Sequence, residues 1–139
     1  MLPIFVISLL EDLERRASIS KIMKKLSVDF EFIDAVKGKN LSQEELSQIN
    51  LNFVESRERR KLALGEIGCT LSHLKAYKLM KERNLEWCCI LEDDVILDNR
   101  FGMFMSTLKQ DDLVGLEDDI LFLGGQNGTK ASKYISCSF

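Results

Sequence analysis

Apolar residues gather in short runs that do not alternate, and this limits the fold more than any other feature. Ile4 to Leu9 is nearly continuous, Trp87 to Leu91 is unbroken, and Ile120 to Leu123 repeats the pattern before Gly124-Gly125. A strand with one solvated face alternates apolar with polar, whereas a strand covered on both faces does not. Runs of this kind belong in a parallel sheet, and parallel neighbours need helical crossovers. The sequence supplies them. Ile19, Ile22, Met23 and Leu26 make an i, i+3, i+4, i+7 stripe and predict a helix from about Asp12 to Leu26. Cys69, His73, Ala76 and Met80 share one face of a helix from about Glu66 to Arg83, so the one His is expected to face inward as a core residue, with Ser72 beside it. Val28, Phe30 and Phe32 alternate as in a further strand, and a short helix is expected over Arg100 to Lys109. Strands alternating with helices predict an α/β architecture with a mostly parallel sheet.

The 139 residues suffice for one domain, read here as 1–125 with an irregular tail over 126–139. Lys plus Arg total 19 against 22 Asp plus Glu, a net charge of −3, which argues against a nucleic-acid-binding chain. No stretch reaches the roughly 18 apolar residues of a membrane span. Met1 to Ile7 lacks a basic leader and runs into Glu11 and Asp12, so it reads as a first strand rather than a signal peptide. Cys69, Cys88, Cys89 and Cys137 show no CxxC spacing and read as reduced thiols of a cytoplasmic protein. The one histidine excludes any site built on a His pair.

Smaller signals fill in the chain. Lys37-Gly38-Lys39-Asn40 is a turn, and Ser42 followed by Glu45 is a capping box that should start a short helix. The basic run Arg57, Arg59, Arg60 and Lys61 reads as a solvated face. Arg15 precedes Ile19 by one helical turn, which places a cation beside the end of the first strand; snorkelling, or pairing with Glu11, is the alternative.

Glu92-Asp93-Asp94 closes the Trp87 to Leu91 strand. Consecutive like charges beside a core are costly, and a divalent cation would offset that cost. Ligands of open α/β sheets bind at the carboxyl ends of strands, which is where this triplet sits. Hard oxygen ligands suit Mg²⁺ or Mn²⁺. A second copy, Glu117-Asp118-Asp119, precedes its strand, so it is expected at the opposite end of the sheet with no ligand role.

Three blocks, Phe5-Val6-Ile7-Ser8-Leu9 with Glu14-Arg15-Arg16, Gly65-Glu66-Ile67-Gly68-Cys69 with Ser72-His73, and Ile90-Leu91-Glu92-Asp93-Asp94-Val95, stand in this order. Together they resemble the family-25 glycosyltransferases of bacterial lipooligosaccharide and lipopolysaccharide biosynthesis. The resemblance covers most of the chain up to Gly125. It implies a GT-A-like (Rossmann-like) fold whose acidic triplet takes the part of a DxD motif. It implies that Glu92 and Asp93 contact the ribose and donor sugar, and that Asp94 ligates Mn²⁺ or Mg²⁺ on the diphosphate. Leu9 and Arg15 would flank the uracil and ribose, with Ser72 and His73 near the donor pocket. The implied reaction moves a hexose, galactose first, from a UDP-sugar to a lipooligosaccharide acceptor at the cytoplasmic face of the inner membrane. The resemblance also implies a longer chain, with the acceptor site and the general base beyond the residues present, so no catalytic residue is named. Exposed sheet surface would then favour self-association. A non-catalytic nucleotide-sugar-binding remnant and a ligand-free α/β interaction domain are the rival readings. A receiver-like domain fits less well, since it would carry acids after the first strand, where Ser8 and Leu9 stand.

Overall fold

The computed structural model describes residues 2–47, 49–115, 119–120 and 135–136; side chains are described for these except at 53–54, 119–120 and 135–136. The order is β1 (Ile4–Ser8), α1 (Leu13–Lys25), β2 (Glu31–Asp34), a 3₁₀ turn (Gly38–Asn40), α2 (Gln43–Ser47), α3 (Leu51–Glu58) and α4 (Leu64–Glu82). It continues with β3 (Cys89–Glu92), α5 (Phe101–Thr107), a second 3₁₀ turn (Gln110–Leu113), β4 (Asp119–Ile120) and β5 (Ile135–Ser136).

The main sheet has the order β2-β1-β3 and both pairings are parallel. The first strand is therefore the central one. Its five residues are all buried, which accounts for the lack of alternation in its sequence. Ile4 and Val6 pack with Ile19 and Met23 of α1, Met105 of α5, and Cys89 and Leu91 of β3. Phe5 and Ile7 pack on the other face with Ile33 and Ala76, the latter from α4. The molecule is thus an α/β/α sandwich about one strand, as the apolar runs predict.

The unbroken Trp87 to Leu91 run supplies most of β3, which among the described residues pairs with β1. Its lack of alternation has a local cause: Cys89 faces the α1 side and Cys88 and Ile90 face the α4 side, so the strand is covered on both faces. The Ile120 to Leu123 run is described only at Ile120. There β4 pairs antiparallel with β5 from within the tail read as irregular, and apolarity alone does not choose a partner strand. With both sheet faces covered, the large exposed apolar side chains, such as Leu13, Ile96 and Val114, lie on helix and loop instead.

Local chemistry explains the element ends. Asp12 caps α1 by accepting the Arg15 N–H at 3.2 Å. Ser42 and Glu45 form the expected reciprocal box, at 3.1 and 2.8 Å. Both long helices end in the same motif: Ser27 and Asn84 take left-handed φ of 55° and 51°. The Val28 and Leu85 N–H groups then reach back to the Met23 and Met80 carbonyls, each at 3.0 Å. This turns the chain directly into the next strand. Gly68 allows α4 to touch the first 3₁₀ turn, since a Cβ there would lie 2.5 Å from the Val36 carbonyl oxygen. No helix among the described residues is long and apolar enough to cross a membrane.

Candidate functional site

The carboxyl ends of β2, β1 and β3 lie side by side, and polar chemistry collects there. Alternation along β3 sorts the acidic triplet. Cys89 and Leu91 face α1, so Asp93 falls on that side and Glu92 on the side of α4. Asp94 follows in the turn closed by the Val95 N–H to the Glu92 carbonyl, and its side chain is 65% exposed.

Asp93 is the best held of the three. Its Oδ2 accepts the Ser8 hydroxyl at 2.6 Å and its Oδ1 accepts Arg15 Nη1 at 3.0 Å, and the carboxylate is only 11% exposed. Arg15 also lies 3.5 Å from Asp12 and 3.7 Å from Asp94. The cation expected beside the first strand is therefore there, and it meets Asp93 rather than Glu11, which pairs with Lys37 at 2.6 Å. Asp93 in turn holds the guanidinium protonated more firmly than usual. Arg15 thus offsets part of the like-charge cost that a divalent cation was invoked to offset.

Glu92 stands apart from this pair. Its Oε1 is 3.4 Å from His73 Nε2 and 3.8 Å from Cys69 Sγ. His73 is 30% exposed, because the first turns of α4 project beyond the ends of the strands while Ala76 lies under them. The helical face that runs through Cys69 and His73 is thus a core face only in its later turns. Ser72 is buried instead, at 1% exposed. It accepts the Val36 N–H at 2.8 Å and donates to the Gly68 carbonyl at 2.6 Å, so it ties α4 to the end of β2. The Leu9 carbonyl accepts the Asp12 N–H and Arg16 Nε, each at 3.1 Å, and its side chain is half-buried at the mouth of β1.

Arg16 has no role in the sequence reading, yet it organises this end of the sheet. It donates to the carbonyls of Ser8 and Leu9, pairs with Asp34, and lies 4.6 Å above the Phe32 ring. Its neighbour Arg15 carried the visible periodicity; nothing local marked Arg16 as a clamp across β1 and β2.

The acids fit a hard cation in one respect. Asp94 is an exposed carboxylate without a close hydrogen bond, and Mg²⁺ or Mn²⁺ commonly takes one or two carboxylates plus phosphate oxygens. The triplet does not form a shared chelate. Among the described residues, the side chains that bring three ligand atoms within 4.8 Å are Cys69, His73 and Glu92. Glu92 and Asp94 stand exposed at this end of the sheet, while Asp93 lies deeper between Ser8 and Arg15. Of the second triplet, Asp119 begins β4, and Glu117 and Asp118 lie outside the described residues.

Comparison with known proteins bears on the family of the chain. A family model described as glycosyltransferase family 25 (LPS biosynthesis protein) matches residues 1–134. Procollagen galactosyltransferase 1-B of Xenopus laevis is 33% identical over 126 residues, covering 87% of this chain and 21% of that protein. A Glycosyltransferase 25 family member of Drosophila melanogaster is 30% identical over 125 residues, covering 87% and 20%. A Haemophilus influenzae protein provisionally named a glycosyltransferase is 38% identical over 135 residues, covering 96% and 46%. The chain spans less than half the length of each of these relatives. With the match over residues 1–134 embracing all three blocks that meet at the sheet's carboxyl end, the chain belongs to glycosyltransferase family 25.

Proposed function

We propose that this chain forms the donor half of a glycosyltransferase that takes a hexose, galactose first, from a UDP-sugar to a lipooligosaccharide acceptor on the cytoplasmic side of the inner membrane. The observation that supports it best is the Ser8–Asp93–Arg15 cluster beside the exposed Asp94 carboxylate, at the end of a parallel sheet where ligands bind. In this reading Asp93 is a preset acceptor. Two donors fix its orientation, and each oxygen keeps a lone pair for a ribose hydroxyl. Glu92 accepts from the donor sugar, with His73 beside it, and Leu9 and Arg15 flank the base. Asp94 would hold Mn²⁺ or Mg²⁺ on the diphosphate. Such a metal, when bound, supplies positive charge to the departing UDP. No general base is assigned.

The test has two arms: titration of the chain with UDP, with and without Mn²⁺, and a transfer assay with a lipooligosaccharide acceptor. Metal-dependent UDP binding supports the donor reading. Absence of UDP binding overturns it. Binding without transfer identifies a donor half that needs further residues for the reaction.

A further inference from the structure

Cys69, His73 and Glu92 present a thiol, an imidazole and a carboxylate to one point, and the donor reading above uses no thiol. We propose that these three residues form a Zn²⁺ site with a fourth coordination position open to solvent. The geometry comes first. Tetrahedral Zn²⁺ at ordinary bond lengths separates a nitrogen from an oxygen ligand by about 3.4 Å and a sulfur from an oxygen by about 3.6 Å. The observed separations are 3.4 Å for His73 Nε2 to Glu92 Oε1 and 3.8 Å for Cys69 Sγ to Glu92 Oε1. All three ligand atoms lie within 4.8 Å of one another, so the set closes on a metal with side-chain adjustment alone.

Preorganisation comes second. Cys69 and His73 stand four residues apart on α4, the spacing that puts two ligands on one helical face. The helix is pinned between them. Ser72 bonds the Val36 N–H, and Gly68 sits against the first 3₁₀ turn. Glu92 is the last residue of β3, and the parallel pairing with β1 sets its position. The ligands therefore come from two elements that the core already holds. Access comes third: Cys69 and Glu92 are exposed and His73 is half-buried, so a metal can enter and keep a water.

The donor set also separates this site from the one proposed at Asp94. Thiolate with imidazole selects borderline and soft metals, whereas Mn²⁺ and Mg²⁺ prefer oxygen alone. Glu92 is common to both readings, but the zinc site needs no nucleotide.

Cobalt(II) alone, without nucleotide, tests the proposal, because four-coordinate cobalt bound to a thiolate shows sulfur-to-metal charge transfer and intense d–d bands. The expected result is one Co²⁺ per chain with both features, displaced by Zn²⁺. Cys69→Ser should abolish the charge transfer and weaken binding by roughly 100-fold or more, judged against the smaller losses seen on removing outer-shell partners. Glu92→Gln, a second variant that spares the helix, should weaken binding while keeping the charge transfer. Asp94→Asn should leave the spectrum as it is. No cobalt binding, the weak bands of an all-oxygen site, or charge transfer that persists in Cys69→Ser would each overturn the zinc site and leave the UDP reading intact.

Discussion

Ser72 and His73 are adjacent in sequence and do different work. The Ser72 hydroxyl is the acceptor for the Val36 N–H in a site sealed from water. Ser72→Ala orphans that N–H, and thermal or denaturant unfolding should show a loss of about 1–3 kcal/mol. His73 is partly exposed and meets Glu92, so His73→Ala should shift unfolding little and weaken UDP-sugar binding. A large loss of stability in His73→Ala with intact binding per folded molecule would return His73 to a core role. At this scale the sequence was legible in part. Periodicity put Arg15 beside the first strand and His73 and Ser72 on the same part of α4. It turned His73 inward, and the structure buries Ser72 instead, because a helical face is a core face only where a sheet lies beneath it. The separation of Glu92 from Asp93 was readable by carrying the alternation of Cys88 and Cys89 four residues on. A run of identical charge hides it by suggesting one common ligand.

Among elements, the helix ends carry the most testable energetics. Ser27 and Asn84 hold a left-handed conformation that costs a side-chain-bearing residue roughly 1–2 kcal/mol and costs glycine little. Ser27→Gly should therefore stabilise the fold by up to about 1 kcal/mol after glycine's greater freedom in the unfolded chain is set against the relief, read as a higher melting temperature, and Asn84→Gly by less, since Asn tolerates this conformation. Gly68→Ala should do the opposite, because its Cβ meets backbone atoms of Val36 and Gly38 that cannot swing away.

The start of α4 depends on pH. Glu66 pairs with Arg60 and accepts the Ala63 N–H at 2.8 Å, and these partners hold its carboxyl at about 2 against an ordinary 4.5. A depressed value in the folded state means stability that is full above 4.5 and lost as the pH falls toward 2. The melting-temperature gap between the protein and Glu66→Gln should narrow over that interval; a constant gap would show that the pairing does not persist in solution. The basic run Arg57, Arg59, Arg60 and Lys61 reads in sequence as a solvated face. One of them, Arg60, is part of this brace, and a bidentate partner six residues away leaves no periodic trace.

For the whole molecule, burial on both faces is the property the sequence states most clearly. Five buried residues of β1 between two helical layers follow from a run that does not alternate. Strand order does not follow, since strands covered on both faces read alike; only the pairing shows that β1 lies between β2 and β3. Burial also disposes of two thiols. Desolvation raises half-buried Cys88 and buried Cys89 to about 11; partial burial and Glu92 also raise Cys69, which nonetheless lies exposed. A maleimide probe should label Cys69 in the native protein and reach Cys88 and Cys89 only on unfolding.

The central claim is that the carboxyl end of this sheet binds a nucleotide diphosphate through a metal held by Asp94. Calorimetric titration of the 139-residue chain with UDP, with and without Mn²⁺, tests it most directly when repeated for Asp94→Asn and Asp119→Asn. Binding should be weak, because Asp94 and Arg15 stand largely in water that screens their charge. It should need Mn²⁺ in the native chain and in Asp119→Asn, and lose that dependence in Asp94→Asn. UDP binding that ignores Mn²⁺ in the native chain, or an equal loss in the two variants, would contradict it.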